Sequence, residues 1–239
     1  MLSCLDVHNV GAAEMSQRMN LLQKNWLVKR IAEDALSVAI RRYAKGRLLD
    51  VGYADKPYEK LTRGLVTSHV GLDHENTLHD KSQVDIFGTA YRIPVEDGAF
   101  ETVLCTAVLE HLEDPAEAIG EMFRILADGG YLIMTAPLFW HLHEEPRDFY
   151  RYTEHGLRYL LEKNGYEIAE LLPLSGFCVT LGQELVYYLW RFRKGGKINP
   201  LWWIVPLFGA LIQSVCYALN KVDRSSSFTW MYLVIARKI

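Results

Sequence analysis

Apolar residues follow two different spacings along this chain, and the changes between them predict alternating strands and helices. Short apolar runs bounded by turn residues are typical of buried strands, whereas apolar residues three and four positions apart are typical of helices. Such runs predict strands at 48–51, 65–72, 85–94 with its turn, 100–106, 131–136, 166–172 and 230–236. Helical spacing predicts helices over 56–63, from Asp114-Pro115 to Gly129-Gly130, and from Thr153 to Asn164-Gly165. The alternation predicts an α/β fold with a Rossmann-like, doubly wound, seven-stranded and mainly parallel sheet.

Composition divides the chain into three segments. Residues 1–46 predict an N-terminal helical segment, because their apolar residues recur at helical spacing. The predicted strands of the core lie in residues 47–175 and 228–239. Residues 176–227 contain few charges and predict an apolar helical insert before the last strand. A chain of 239 residues can bury one core of this size and still carry such an insert.

Charge and cysteine usage narrow the class of protein. The formal net charge is -3, so the chain lacks the broad basic field that a nucleic-acid partner requires. Four widely spaced cysteines predict free thiols in a reducing compartment, with neither a disulfide framework nor a metal site: Cys4, Cys105, Cys178 and Cys216. Residues 1–10 lack the basic-then-apolar pattern of a signal peptide. We therefore expect a cytoplasmic enzyme.

The ends of the first two predicted strands carry the residues of a nucleoside-binding site. The first strand ends in a loop with Asp50 and Gly52, and the second strand ends in Asp73. An open parallel sheet binds its ligand at the carboxyl ends of its strands. An acid at the end of the second strand can accept hydrogen bonds from both hydroxyls of a ribose.

Five short motifs occur in the order found in class I S-adenosylmethionine-dependent methyltransferases, and the chain resembles that family, in particular its type 11-like members. The resemblance covers about residues 45–175 and the last strand. The motifs are Leu49-Asp50-Val51-Gly52, Val70-Gly71-Leu72-Asp73, Arg92-Ile93-Pro94-Val95-Glu96-Asp97-Gly98-Ala99-Phe100, Val108-Leu109-Glu110-His111 and Gly129-Gly130-Tyr131-Leu132. Each motif is weak alone, and five in register are a strong signal.

The resemblance implies S-adenosylmethionine as the cofactor. The implied cofactor-binding residues are Asp50, Gly52, Tyr53, Ala54, Asp73, Thr89, Ala90, Thr106 and Ala107. Asp50 and Gly52 would shape the loop around the methionine and ribose, and Asp73 would bind the ribose hydroxyls. The turn at 89–90 would border the adenine, and residues 106–108 would line the methionine end.

Two positions depart from the family pattern. Ala54 stands where the family usually has a second glycine, and Thr89 stands where it often has an acid that binds the adenine amino group. Because a methyl group and a hydroxyl are modest changes, we expect weaker cofactor binding rather than none. The alternative of a dinucleotide-binding dehydrogenase is disfavoured, because residues 52–57 lack the later glycines of Gly-x-Gly-x-x-Gly and Asp55 would repel a pyrophosphate.

The segment after the fifth predicted strand is dense in groups that could serve at the reacting end. It matches a methyltransferase subgroup signature, His-x-x-Pro-x-Asp-Phe/Tyr-x-Arg-Tyr/Phe-Thr, which begins here at His143. We predict His143 as the base or the acceptor-orienting group, with Asp148 and Arg151 bracing the loop as a bidentate pair. The whole segment could instead be a structural corner in which Thr153 caps a helix. For His111, a packing or capping role is the stronger interpretation.

The apolar insert carries the features of a membrane-surface element. Its uncharged run 198–220 is long enough to span a bilayer, but the last strand must return to the sheet, so the insert crosses twice or not at all. Two crossings would place the basic tip 191–197 on the far side, against the positive-inside tendency. We therefore expect residues 177–220 to lie on the cytoplasmic membrane face. A homodimer interface or a lid over an apolar substrate tunnel is the alternative.

These features lead to one main hypothesis of function. We expect a cytoplasmic, peripherally membrane-associated methyltransferase that uses S-adenosylmethionine, with a small or lipid-linked acceptor such as a sugar on a lipid carrier or a polyprenyl-type lipid. The expected chemistry is O-methylation. The alternatives are a non-catalytic membrane-associated or scaffolding protein with a degenerate methyltransferase fold, and a soluble small-molecule methyltransferase.

Overall fold

The computed structural model describes residues 20–53, 58–75, 81–223 and 225–239. The chain forms two compact units. One unit holds the described residues up to Leu36, together with Leu138–His141 and Pro173–Met231. The other unit holds Ser37–Pro137, Leu142–Leu172 and Tyr232–Ile239.

A seven-stranded sheet confirms the predicted fold class. Its strand order is β3-β2-β1-β4-β5-β7-β6, and the four pairings from β3 to β5 are parallel. Its strands are β1 Arg47–Val51, β2 Ser68–Asp73, β3 Ile86–Phe87, β4 Phe100–Thr106, β5 Leu126–Pro137, β6 Tyr166–Pro173 and β7 Met231–Lys238. The order reverses between β1 and β4, so their carboxyl ends border the crevice where such sheets bind ligands.

Six α-helices lie in the described part of the chain. They are α1 Trp26–Tyr43, α2 Glu59–Thr62, α3 Pro115–Ile125, α4 Glu154–Lys163, α5 Phe177–Trp190 and α6 Leu201–Leu219. The predicted start signals of α3 and α4 are confirmed. The Asp114 carboxylate accepts a hydrogen bond from Glu117 N at 3.0 Å, and the Thr153 hydroxyl accepts one from Gly156 N at 3.1 Å. Both side chains satisfy amide groups that have no partner within the first helical turn.

Several predicted boundaries differ from the structure. The glycine pair at 129–130 predicts the end of α3, but α3 ends at Ile125 and the pair lies inside β5. The register between β4 and β5 shifts at Phe100/Thr102, so the extra residues of β5 form an irregularity rather than a helix end. The third strand is only two residues long within the predicted span 85–94, and residues 56 and 57 of the predicted first helix lie outside the described residues.

The central strands are buried on both faces, as their apolar sequences require. In β4, Phe100, Val103, Leu104 and Cys105 are all fully buried. The amphipathic helix α3 buries Ala118, Ile119, Met122 and Ile125 along one side. This rigid layer fixes the ends of β1, β2 and β4, from which the candidate site is built.

The two long apolar helices α5 and α6 pack against each other within their own unit. Each buries one glutamine completely, Gln183 on α5 and Gln213 on α6. Gln183 Nε2 donates to Lys24 O at 2.7 Å, and Gln213 accepts from Leu27 N and donates to Gln23 O, both at 3.0 Å. By length and composition, α6 is the one helix of the described residues that could cross a membrane.

Candidate functional site

A cavity at the carboxyl ends of β1 and β2 brings together four of the predicted cofactor-binding residues. Gly52, Asp73, Thr89 and Ala90 all line it. Val108, which follows β4, lines the same cavity and was expected at the methionine end. Residues that are distant in sequence thus surround one space where the topology predicts a ligand.

Gly52 lies in the left-handed region, with φ of +76°, at the turn where β1 ends. A Cβ atom added there would come within 2.4 Å of Val108 Cγ2. Glycine is required here on both counts, because a side chain would strain the backbone and push Val108 into the cavity. The positions of Ala54 and Asp55 lie outside the described residues.

Asp50 is buried beneath the cavity rather than exposed in it. Its Oδ2 lies 3.2 Å from His69 Nε2, and His69 Nδ1 lies 2.8 Å from the Thr62 hydroxyl. Burial raises the pKa of Asp50, and the hydrogen bond from His69 opposes that shift. Asp50 therefore braces the end of β1 through a buried polar chain. His69 has no signal in the sequence, because its partner lies on the neighbouring strand.

Tyr53 also points away from the cavity. Its side chain is buried against Gly71, where an added Cβ atom would lie 2.0 Å from Tyr53 Cδ1. Its ring stacks edge-on to that of His69, with 5.3 Å between the ring centroids. Only the backbone of Tyr53 could therefore face a ligand. Its amide already donates to Leu72 O at 3.1 Å.

Thr106 and Ala107 lie at the end of β4, next to Val108, and neither lines the cavity itself. Ala107 adopts a left-handed conformation with φ of +51°, which is uncommon for a residue with a side chain. Its amide donates to both the carbonyl and the hydroxyl of Thr135 on β5. These bonds hold the strained turn that directs residues 108–111 towards the cavity.

The loop after β5 contains all three predicted catalytic residues, and Asp148 and Arg151 form the predicted bidentate pair. Arg151 Nη1 and Nη2 lie 2.5 and 2.8 Å from the two Asp148 oxygens. Asp148 also accepts a hydrogen bond from the His143 amide at 3.0 Å, which fixes the backbone beside that histidine. The Arg151 guanidinium holds the pKa of Asp148 well below its usual range.

The same loop closes over the short turn Leu109–His111 that follows β4. The amides of Phe149 and Tyr150 both donate to Glu110 O, at 2.9 and 3.2 Å. The buried Tyr152 hydroxyl donates to Leu109 O at 2.9 Å. These contacts hold the loop in register with the turn, so His143 is carried next to Glu110 and His111.

Glu110, His111 and His143 form a cluster that the sequence did not predict. The two imidazole centroids are 4.8 Å apart, and His111 lines the cavity that holds the cofactor-type residues. Burial raises the pKa of Glu110 to about 7. Burial and the neighbouring His111 lower the pKa of His143. The Val-Leu-Glu-His motif was visible in the sequence, but nothing local links it to a histidine 32 residues later.

Comparison with known proteins identifies the family. A family model described as a methyltransferase domain matches residues 26–171, which is more than half of the chain. The chain belongs to the class I S-adenosylmethionine-dependent methyltransferase family. The matched segment includes β1 to β5, the cavity and the loop with His143.

Three known proteins illustrate the similarity. The ubiquinone biosynthesis O-methyltransferase of Psychrobacter cryohalolentis is 30% identical over 146 residues, 54% of this chain and 57% of that one. The ajmaline N-methyltransferase of Rauvolfia serpentina is 36% identical over 75 residues, 31% of this chain and 24% of that one. A crystal structure of an S-adenosylmethionine-dependent methyltransferase from Archaeoglobus fulgidus has a TM-score of 0.52 at 14% identity, covering 85% and 93% of the two chains.

The chain spans at most about half the length of these curated relatives, and the solved structure shows the shared fold alone. The cavity fits the cofactor that the family uses. Asp73 places a carboxylate in the cavity that could accept hydrogen bonds from ribose hydroxyls, and Gly52 leaves the space that a Cβ atom would fill. In this methyltransferase, Gly52, Asp73, Thr89, Ala90 and Val108 are the described residues that would hold S-adenosylmethionine.

Proposed function

We propose that this methyltransferase transfers the methyl group of S-adenosylmethionine to an oxygen atom of a small or lipid-linked acceptor at a membrane surface. Asp73 and Gly52 would bind and orient the cofactor, as the cavity geometry supports. The cofactor supplies an activated methyl group, and the protein's task is to align the acceptor with it and to exclude water. The acceptor oxygen forms the new C–O bond while the C–S bond breaks and its electron pair stays on sulfur.

The acceptor hydroxyl must lose its proton in this reaction. His143 is the predicted base or orienting group, and its backbone is fixed by Asp148 next to the cavity-lining His111. The relative from Psychrobacter cryohalolentis is named an O-methyltransferase of ubiquinone biosynthesis, which supports an oxygen acceptor. The proton passes to the histidine cluster and from there to solvent. Because the transfer is a displacement, the reaction needs no redox partner.

The observation that carries the membrane part of the proposal is a set of exposed apolar side chains on the insert, here called the apolar face. Its members are exposed leucine, isoleucine, valine and aromatic side chains that recur every three or four residues on each helix: Phe177, Leu181, Leu185 and Tyr188 on α5, and Leu201, Ile204, Leu207, Phe208, Leu211, Val215 and Leu219 on α6. Leu207 and Leu211 are 63% and 59% exposed. An exposed apolar surface of this extent is typical of a membrane or protein contact.

Charge favours an anionic bilayer as the partner of the apolar face. Between α5 and α6 the tip of the insert carries Arg191, Arg193, Lys194 and Lys197, and Glu184 is the one acidic residue from 177 to 220. The Arg193 guanidinium lies over the rings of Trp190 and Trp202, at 4.7 and 4.1 Å from their centroids. Tryptophan with arginine is a common pair at the headgroup level of a membrane.

A position on the membrane surface agrees better with α6 than a crossing does. A crossing helix offers its full circumference to apolar surroundings, whereas one side of α6 carries Gln213, fully buried and bonded to backbone groups at 23 and 27. The other side carries the apolar face. This division is typical of helices that lie in the interface plane.

Replacing Leu207 and Leu211 together by serine should abolish most of the membrane binding. Each exposed leucine contributes about 1.5 kcal/mol or more when it enters an apolar phase, so the partition coefficient should fall by about 100-fold or more. Flotation of the full chain with phosphatidylglycerol-containing vesicles measures this, beside vesicles of phosphatidylcholine alone. The matched control replaces Leu22 and Leu65, exposed leucines outside the insert, by serine.

Flotation of the wild type and the control, but not of the insert variant, is the expected result. A wild-type chain that stays at the bottom of the gradient would overturn the membrane proposal. Light scattering then decides what covers the apolar face, because a dimer that the insert variant loses would identify a contact between two copies.

Methyl transfer from labelled S-adenosylmethionine tests the acceptor. The protein is incubated with a membrane lipid extract in anionic vesicles and, separately, with a water-soluble metabolite fraction. We expect label in the organic phase as a methyl ether, which resists mild base. Label only in a soluble acceptor would contradict the lipid-linked acceptor, and label on nitrogen would contradict O-methylation.

A further inference from the structure

The cluster of Glu110, His111 and His143 has the composition of a metal site. Each residue offers one ligand atom, and the three atoms lie within 4.8 Å of one another. Glu110 and His111 come from the turn after β4, and His143 comes from the loop after β5. We propose that these three side chains bind a divalent cation of the Zn²⁺ type through two imidazoles and one carboxylate.

Glu110 provides the first reason for a cation. Its side chain is 1% exposed, and no hydrogen-bond partner reaches its Oε2 atom among the described residues. A buried carboxylate oxygen without a partner is costly, and native structures rarely keep one unless something binds it. A metal ion beside His111 and His143 would supply both the missing partner and the compensating charge.

The orientation of His111 provides the second reason. Its Nδ1 lies 2.6 Å from Arg147 O. A carbonyl oxygen can only accept, so Nδ1 carries the proton and the lone pair of the neutral ring lies on Nε2. Metal-binding histidines are held in this way, with one ring nitrogen donating to a carbonyl or carboxylate and the other facing the metal.

His143 has the corresponding carboxylate neighbour. Its Nδ1 lies 3.4 Å from Asp148 Oδ2, and Asp148 is itself fixed by Arg151. Asp148 thus places a carboxylate beside the His143 ring and holds the His143 amide, whereas a carbonyl oxygen orients the His111 ring directly. If His111 and His143 served only to pack the loop against the turn, there would be no reason for these oxygen neighbours to accompany a buried carboxylate.

The cluster leaves space for a further ligand. Atoms bound to Zn²⁺ at about 2.1 Å in a tetrahedron are about 3.4 Å apart, so small side-chain rotations would complete the site. Three protein ligands and one open position are the arrangement of catalytic zinc sites. His111 also lines the cofactor-type cavity, so an ion held by the cluster would lie beside that cavity.

The role of the ion rests on the proposed function, whereas its binding does not. The positive charge would favour the deprotonated form of an acceptor hydroxyl at neutral pH. The two histidines then act as ligands rather than as bases, and the released proton passes to water. The bonds that form and break during methyl transfer are unchanged.

Calorimetric titration of the chelator-treated full chain with ZnCl₂ tests the site. We expect one site of micromolar affinity, weakened by at least about 100-fold in Glu110→Gln and in His111→Gln. His155→Gln is the matched control, because His155 is an exposed histidine beside Glu154. Titration with Co²⁺ adds a spectrum, in which nitrogen and oxygen ligands give weak visible bands without the intense near-ultraviolet band of cysteine thiolates.

Zinc binding that is absent, or that both cluster variants retain, would overturn the proposal and indicate an adventitious ion only. Circular dichroism confirms that each variant is folded. Binding of S-adenosylhomocysteine is measured on the same samples. A chain that binds S-adenosylhomocysteine but no Zn²⁺ refutes the metal site alone, and a chain with the reverse behaviour refutes the cofactor site alone.

Discussion

Replacing Asp73 by alanine is expected to weaken S-adenosylmethionine binding by at least about 100-fold. The carboxylate lies at the end of β2 and lines the cavity, where it can accept from both ribose hydroxyls. Hydrogen bonds to a charged group contribute about 1.5–3 kcal/mol each, so losing two removes about 3 kcal/mol or more of binding free energy. Isothermal titration calorimetry of the wild type and the variant measures the change.

Two further variants of this kind make the result specific. Asp73→Asn keeps one acceptor oxygen without the charge, so it should show an intermediate loss. Asp128→Ala removes a carboxylate that is almost fully exposed, and it should bind like the wild type. An Asp73→Ala variant that is folded and retains wild-type affinity would show that the ribose is not bound at the end of β2.

Replacing His69 by alanine is expected to lower the free energy of unfolding by about 3 kcal/mol or more. His69 is the hydrogen-bond partner of Asp50, and both side chains are buried, with 7% and 2% exposure. Removing the imidazole leaves the buried Asp50 carboxyl group without its hydrogen-bond partner and also leaves a cavity between the two strands. Urea unfolding followed by tryptophan fluorescence measures the loss.

The double variant Asp50→Asn with His69→Ala separates this effect from the loss of packing. Because it also replaces the carboxyl group that has lost its partner by a neutral amide, it should be more stable than His69→Ala by more than about 1 kcal/mol. His155→Ala, on the surface, should change the stability by less than about 0.5 kcal/mol. Strictly additive losses in the double variant would mean that Asp50 and His69 do not interact.

The elements that the sequence predicts well are those in which local and long-range forces agree. The bounds of β4 are predicted to the residue, because Phe100–Thr106 is an unbroken run of residues suited to a strand buried on both faces. The starts of α3 and α4 are predicted because Asp114 and Thr153 satisfy amides within three residues of themselves. The place of the candidate site at the ends of β1 and β2 is predicted because an open parallel sheet binds its ligand at the carboxyl ends of its strands.

The features that the sequence does not predict depend on contacts between distant segments. The glycine pair at 129–130 predicts a helix end by local rules, yet pairing with β4 draws it into a strand. Nothing in the sequence near His69 indicates a partner, because Asp50 lies beside it only through the pairing of β1 with β2. The Glu110–His111–His143 cluster exists because the loop after β5 folds over the turn after β4. The spacing of residues within either segment does not predict this contact.

The positions of the cofactor residues show the same division. Four predicted residues line the cavity because the course of the backbone brings them there, and the motifs mark that course: Gly52, Asp73, Thr89 and Ala90. The side chains of Asp50 and Tyr53 turn inward, because burial of an aromatic ring and of a paired carboxylate decides their direction. A motif thus identifies the loop that holds a ligand better than it identifies the atoms that touch it.

Calorimetric titration of the purified wild-type chain with S-adenosylmethionine and S-adenosylhomocysteine tests the account most directly. We expect one binding site of micromolar affinity for each, in spite of Ala54 and Thr89 at the two positions that depart from the family pattern. Folded protein that binds neither compound would contradict the assignment of methyl transfer, and the fold would then serve another function.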